Sequence, residues 1–365
     1  MEIIRPLVFV LGLAVVAGTL YSVIETFVLP RSANDPLTRL VFLSLRSLFD
    51  IRAKRAASYE ERDRVMAFYA PVSLLSLPPV WLILILLGFM AMYWSVGGSS
   101  VRAAFADSGS ALLTLGFASV QDLPDQILAF SEATIGLGLI ALLIAYLPTM
   151  YSAFSRREAV VTMLEVRAGS PPSAADMIER YHRIHGLGQL GPQWASWEAW
   201  FADIDESHTS LAALVFFRSP RSEHSWITAA GAILDGAALV NSTVDVPHDP
   251  RADLCIRAGY LALRHIADFF SITYNSSPRP DDPISISRSE FDAVWERLAA
   301  SGVPLKPDRN QAWRDFAGWR VNYDTVLLSL AALTMAPYAP WSSDRSLRRG
   351  QIKRPDVISN RQVTE

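Results

Sequence analysis

Three long apolar runs lie in the first 155 residues of the chain, and the remainder has the charge density of a soluble domain. The runs cover about residues 6–29, 66–96 and 126–154. A helix needs about 20 apolar residues to cross a bilayer, and each run is long enough. We therefore predict an all-α membrane protein with three transmembrane helices, followed by an all-helical domain in water.

The ends of the runs predict how the chain crosses the membrane. The first is longer than the apolar core of a signal peptide and is preceded by Arg5 alone, so we expect residues 1–30 to be a retained transmembrane helix. Residues 31–65 carry an excess of Arg and Lys, which marks the cytoplasmic side. The N-terminus is then outside, and the chain after Arg157 is cytoplasmic.

The basic connection, residues 31–65, contains apolar residues at helical spacing beside arginines. This pattern predicts an amphipathic helix, which lies either on the inner membrane face or against the soluble domain. In the second run, Pro78 and Pro79 predict a kink or a break before Trp81. Tyr93 and Trp94 are expected at the outer interface.

Residues 108–122 form a nearly uncharged stretch with two glycines and three serines between the second and third runs. Ser100 is a suitable N-cap for a short helix from Val101 to about Leu113. The stretch is either a plain outer loop or a loop that re-enters the membrane. Non-helical backbone at membrane depth is tolerated only when it is buried in protein or lines a wet pathway.

The centre of this stretch resembles the selectivity filter of the potassium-channel superfamily. The residues that carry the resemblance are Thr114, Leu115, Gly116, Phe117, Ala118 and Ser119, where the family has Thr-Val-Gly-Tyr-Gly-Asp. The resemblance implies that the first four carbonyl groups coordinate a bare cation, with the Thr114 hydroxyl at the inner end. Ala118 and Ser119 depart from the family pattern, which leaves a potassium-selective and a nonselective monovalent cation pathway open.

Two residues of the third run are further candidates. Glu132 is its one charged residue, and it either supports the filter or sets cation preference, or it is a carboxylate that reaches the membrane surface. In the resembled family a glycine at the depth of Gly136 is often a gating hinge. The alternative for Gly136 is close helix packing through a small residue.

The chain after residue 157 reads as a helical cytoplasmic domain over residues 158–341 and a disordered basic tail over residues 342–365. His182 and His185 lack a third metal ligand, and the tryptophans at 194, 197 and 200 predict a buried stripe. No Gly-rich phosphate loop is present in the sequence, and Cys255 is the single cysteine. The net charge of −3 does not imply a nucleic-acid partner.

The resemblance covers residues 66–157, a pore module of outer helix, pore loop and inner helix. It implies a homotetrameric cation channel, because a closed filter needs four loops. The expected partners are the bilayer, three further copies and an unidentified ligand or protein on the helical domain, with no cofactor besides the permeant cation, most simply potassium. The alternative is a non-conducting scaffold or sensor; a transporter ranks below it, and an enzyme last.

Overall fold

A computed structural model of the protein describes residues 4–27, 29, 35–97, 100–118 and 120–345. This part of the chain is helical and contains no β-strand, and Val244 and Leu305 form an isolated bridge in it. The prediction of an all-α fold is therefore confirmed. The chain divides into two compact units, residues 1–57 with 65–152, and residues 58–64 with 153–365.

The helices of the first unit follow the apolar runs closely. They are α1 (Ile4–Phe27), α2 (Pro36–Ala53), α3 (Tyr59–Ala67), α4 (Tyr69–Gly97), α5 (Val101–Leu112) and α6 (Leu123–Ala168); α3 and α6 also extend into the second unit. Among the described residues, three helical stretches are long and apolar enough to cross a membrane: Ile4–Phe27, Tyr59–Gly97 and Leu123–Ala168. The predicted number of such helices is confirmed.

Helices α1 and α4 pack closely through a pair of glycines. A Cβ atom on Gly12 would collide with the carbonyl oxygen of Gly88, and one on Gly88 would collide with the side chain of Val16. Small residues let the backbones of two membrane helices approach and gain van der Waals contact. Further along, Trp81 Nε1 donates to Ser22 Oγ at 3.1 Å, which adds a buried polar contact to the same interface.

Asp35 joins the end of α1 to the start of α2. Its carboxylate accepts from Ser22 Oγ at 2.6 Å and from the backbone nitrogens of Leu37 and Thr38 at 3.3 and 2.8 Å. Capping of this kind satisfies donors that the first helical turn leaves free. The amphipathic helix predicted in the basic connection is thus present as α2 and is fixed at its N-terminus.

One local expectation for the apolar runs differs from the structure. Helix α4 continues through Pro78 and Pro79, so the predicted break does not occur. Tyr93 is buried with its hydroxyl near Glu132, and its expected place at the outer membrane interface stays a prediction. Helix α6 continues beyond the apolar run to Ala168, because the charged residues that follow 154 continue a good helix-forming sequence.

The second unit is a helical domain around a large apolar core. Its further helices are α7 (Ala174–Arg183), α8 (Gly191–Ser210), α9 (Trp226–Thr243), α10 (Pro250–Phe269), α11 (Arg288–Ala300), α12 (Arg309–Arg320) and α13 (Asp324–Thr334). Short 3-10 turns lie at Leu187–Gln189, Ala212–Phe216 and Ser343–Arg345. The predicted stripe of tryptophans at 194, 197 and 200 is buried in this core, so that prediction is confirmed.

A buried charge network ties three parts of this unit together. Arg320 donates to Asp235 Oδ1 at 2.6 Å, to Asp324 Oδ1 at 2.7 Å and to the carbonyl of Trp341 at 2.7 Å. The hydroxyl of Tyr323 donates to Asp235 at 3.0 Å. Removing one partner of a buried pair leaves an uncompensated charge, so the network fixes α9, α12 and the segment before residue 345 in one arrangement.

A second buried cluster surrounds the guanidinium of Arg157. It donates to His208 Nε2 at 3.1 Å and to the carbonyls of Leu214 and Phe217 at 2.8 and 2.7 Å. Because guanidinium groups only donate, His208 Nε2 accepts and the ring proton lies on Nδ1, 3.1 Å from Ser207 Oγ. Burial, and then the positive charge of Arg157, hold the pKa of His208 well below 6.5.

The first residues of the predicted tail are not disordered. Residues 342–345 belong to the ordered chain, and Arg345 forms an ion pair with Glu290 Oε1 at 2.6 Å. The sequence could not show this contact because the two residues are far apart along the chain. Residues 346–365, the rest of the predicted tail, lie outside the described residues.

Candidate pore loop

Helix α5 is the short helix that the sequence predicts before the loop. Ser100 Oγ accepts from the backbone nitrogen of Ala103 at 3.2 Å, which confirms the expected N-cap. With 12 residues, α5 is too short to cross a bilayer. Its inward side is buried at Ala104, Ser108 and Leu112.

A Schellman motif ends α5 and starts the loop. The backbone nitrogen of Thr114 donates to the carbonyl of Ala111 at 3.0 Å, and that of Leu115 donates to the carbonyl of Ser110 at 2.9 Å. Thr114 is the left-handed residue of this motif, with φ of 53°. Glycine usually holds this position, and a side chain in the left-handed region costs about 1–2 kcal/mol.

Four of the five backbone N–H groups of residues 114–118 donate to α5, and that of Phe117 has no partner among the described residues. Gly116 N donates to the carbonyl of Ser110 at 3.4 Å, and Ala118 N donates to Ser110 Oγ at 3.1 Å. Ser110 therefore holds both ends of the loop with its backbone and its side chain. The sequence gives no direct sign of this role, because Ser110 lies in α5 and outside the filter-like residues.

The carbonyl groups of residues 114–117 have no such partners. Within the described residues, no N–H or O–H group donates to any of these four oxygens. The side chains beside them are exposed, 62 % for Leu115 and 67 % for Phe117. Each backbone carbonyl needs a partner, so these four are free to face water, a cation or a neighbouring chain.

Positive φ angles occur at two alternate residues of the loop, Thr114 and Gly116, where φ is 53° and 68°. Ala118 does not have a positive φ, so its Cβ atom causes no backbone strain. At its outer end the backbone conformation of the loop thus differs from that of a filter which requires a second glycine. Ser119, predicted to support the filter, lies outside the described residues.

Glu132 lies on α6 against α5 and is fully buried. Its Oε1 accepts a hydrogen bond of 2.6 Å from Ser108 Oγ, which also donates to the carbonyl of Leu86 at 3.1 Å. Tyr93 is its other polar neighbour. Three helices, α4, α5 and α6, therefore meet at this carboxyl group, as expected of a support and not of a surface carboxylate.

Gly136, the predicted hinge, packs against the end of α5. A Cβ atom at this position would collide with the carbonyl oxygen of Leu112. Close packing is therefore a sufficient reason for glycine here, and the hinge stays a prediction. Gly138, two residues further, has open space where its Cβ atom would be.

Helix α6 has two distinct faces before residue 152. The buried positions recur every three or four residues, at Glu132, Gly136, Leu139, Tyr146 and Met150. The opposite face is exposed and apolar, and it includes Ile127, Phe130, Leu137, Ile140, Ile144, Leu147 and Tyr151. One chain alone leaves this face and the loop carbonyls uncovered.

A scan against protein-family models and searches of curated proteins and of solved structures find no match to this chain. The interpretation of the loop therefore depends on its own residues and their geometry.

Proposed function

We propose that the protein is a membrane cation channel in which residues 114–118 of four chains form one selectivity filter. The observation that carries this proposal is the asymmetry of the loop backbone. The N–H groups of Thr114, Leu115, Gly116 and Ala118 donate to α5, while the carbonyl oxygens of residues 114–117 have no partner among the described residues. Carbonyl oxygens without donors are the groups that replace the hydration shell of a cation in a filter.

The surroundings of the loop support the same function. The carboxyl group of Glu132, held by Ser108, fixes α5 against α6 and so fixes the height of the loop. The exposed face of α6 supplies an apolar surface for neighbouring copies or for a hydrophobic pathway below the filter. In this arrangement the helices of the first unit cross the cell membrane. The N-terminus is outside, the loop opens to the outside, and the helical domain is in the cytoplasm.

A flux experiment tests the proposal. The protein is reconstituted in liposomes, and potassium and sodium flux are measured for the wild type and for Gly116→Val. Gly116 has φ of 68°, which a β-branched residue adopts only with strain, so the variant should lose flux while it remains in the membrane. Gly18→Val is the matched control, because a Cβ atom at Gly18 meets no other atom within 4 Å.

Flux in the wild type and in Gly18→Val, but not in Gly116→Val, is the expected result. A preference for potassium would mean that the filter selects by coordination, and equal potassium and sodium flux would mean a nonselective cation channel. Equal flux from Gly116→Val and the wild type would refute the assignment of the loop.

One observation favours a second function, that of a non-conducting scaffold or sensor. The Schellman motif at Thr114 is a common way to end a helix and requires no ion. In that case the membrane helices anchor the helical domain, which binds a partner. An intact tetramer without flux in any ionic condition would favour this function.

A further inference from the structure

A cavity of about 210 Å³ lies within the second unit, beside the part of α6 that follows residue 158. Its walls come from α6, α7, the turn at Leu187–Gln189 and α8. The residues that matter for its chemistry are Leu164, Arg167, Tyr181, Gln193, Ser196 and Trp197. Neither the filter nor the buried charge networks involve this cavity.

The amide of Gln193 is the first sign of a ligand. Gln193 is 8 % exposed, and its Oε1 accepts from the hydroxyl of Tyr181 at 3.3 Å. Its Nε2 is buried and has no partner in the described part of the chain. About 90 % or more of buried polar groups are hydrogen-bonded, so the unpaired amide of a residue that lines the cavity points to an acceptor from outside the chain.

The charge of the cavity is the second sign. Arg167 donates to the carbonyl of Met163 at 3.1 Å and forms no ion pair with any described residue. No Asp or Glu lines the cavity. The guanidinium fork of an arginine matches a carboxylate in geometry and charge, so the free charge favours an anion.

The remaining walls limit the size and polarity of that anion. The ring of Trp197 and the side chains of Leu164 and Met163 form apolar surface around the two donors. The volume is below the about 300–1,000 Å³ of pockets for drug-sized molecules. A ligand with one ring, or a short branched chain, fits these limits.

We propose that this cavity binds a small carboxylate with an apolar body, whose charged end pairs with Arg167 and accepts from Gln193 Nε2. The binding site itself does not depend on conduction. A regulatory role of the ligand rests on the proposed function. The ligand would contact α6, the helix that also carries Glu132, and would shift the packing of α6 against α7 and α8.

Calorimetric titration of the purified full-length protein with sodium benzoate tests the site. Gln193→Glu keeps the acceptor for Tyr181 but removes the donor and adds a negative charge, and Arg167→Gln removes the positive charge. Each should weaken benzoate binding about tenfold or more, as expected for loss of a hydrogen bond to a charged group. Arg183→Gln is the matched control, since Arg183 is exposed and does not line the cavity.

Saturable binding to the wild type and to Arg183→Gln, with weakened binding to the two cavity variants at unchanged unfolding temperature, is the expected result. No saturable binding of benzoate would overturn the proposal, and so would equal binding of neutral benzamide or full binding by both cavity variants. Because calorimetry does not require conduction, benzoate binding without ion flux would preserve the site and reject the channel.

Discussion

Replacing Thr114 by glycine separates the two roles that this residue has in the loop. As the left-handed residue that ends α5, Thr114 carries a Cβ atom at φ of 53°, which costs about 1–2 kcal/mol. Glycine removes that cost but loses more conformational entropy on folding, about 0.5–1 kcal/mol. The net effect is a stabilisation of about 1 kcal/mol per chain, which sums to about 4 kcal/mol in a tetramer.

The second role of Thr114 is chemical. In the proposed filter its hydroxyl closes the inner end of the ion pathway, and glycine has no hydroxyl. Thr114→Gly should therefore unfold at a higher temperature, by about 2–4 °C for 1 kcal/mol in a domain of 150–250 residues, yet pass less potassium relative to sodium. Thr114→Ser is the control, because it keeps both the hydroxyl and the left-handed side chain.

The assay combines thermal unfolding of the protein in detergent with potassium and sodium flux from liposomes. A variant Thr114→Gly that is more stable but has the flux and ion preference of the wild type would refute the role of Thr114 in the ion pathway. It would leave this residue as a helix terminator alone. A loss of stability would refute the conformational argument instead.

Further predictions concern the buried polar groups. Glu132→Leu should lower stability by about 0.5–1.5 kcal/mol because it removes the hydrogen bond from Ser108, whose hydroxyl keeps the carbonyl of Leu86 as an acceptor, while Glu132→Gln should retain most of that stability; equal unfolding temperatures for the two variants would contradict this support role. Asp235→Leu leaves the guanidinium of Arg320 underpaired and should cost about 3–5 kcal/mol, which urea unfolding measures; an unchanged free energy of unfolding would contradict the role of this buried pair. The pKa of His208 lies well below 6.5 in the folded protein, so the unfolded chain binds more protons and stability falls as the pH drops below about 6.5, by up to about 1.4 kcal/mol per pH unit. In His208→Gln the free energy of unfolding should change less between pH 6.5 and 5. A slope equal to that of the wild type would contradict a neutral His208 in the folded protein.

Local patterns predicted the helices well. The apolar runs, the cap at Ser100 and the spacing of apolar residues after position 173 depend on short-range chemistry, and the corresponding helices are present. The apolar spacing of residues 207–217 also fits one continuous helix, but α8 continues to Ser210 and a 3-10 turn follows at Ala212–Phe216. Neighbouring apolar residues there fit either arrangement, so periodicity could not decide between them.

Contacts between distant residues could not be predicted in the same way. The sequence singled out Glu132, but its partner Ser108 lies 24 positions away and on another helix. Arg320 reaches Asp235 across 85 positions. The filter-like residues were found by resemblance, whereas the role of Ser110 as the acceptor for both ends of the loop follows only from the folded backbone.

The most direct test of the account is a mixing experiment with wild-type and Gly116→Val chains, combined in equal amounts before assembly and reconstituted in liposomes. If four loops form one filter and one altered loop blocks it, potassium flux should fall to about 6 % of the wild-type value, since about one tetramer in sixteen has only wild-type loops. A flux of about half the wild-type value would mean that each chain conducts independently, which would contradict a filter shared by four chains.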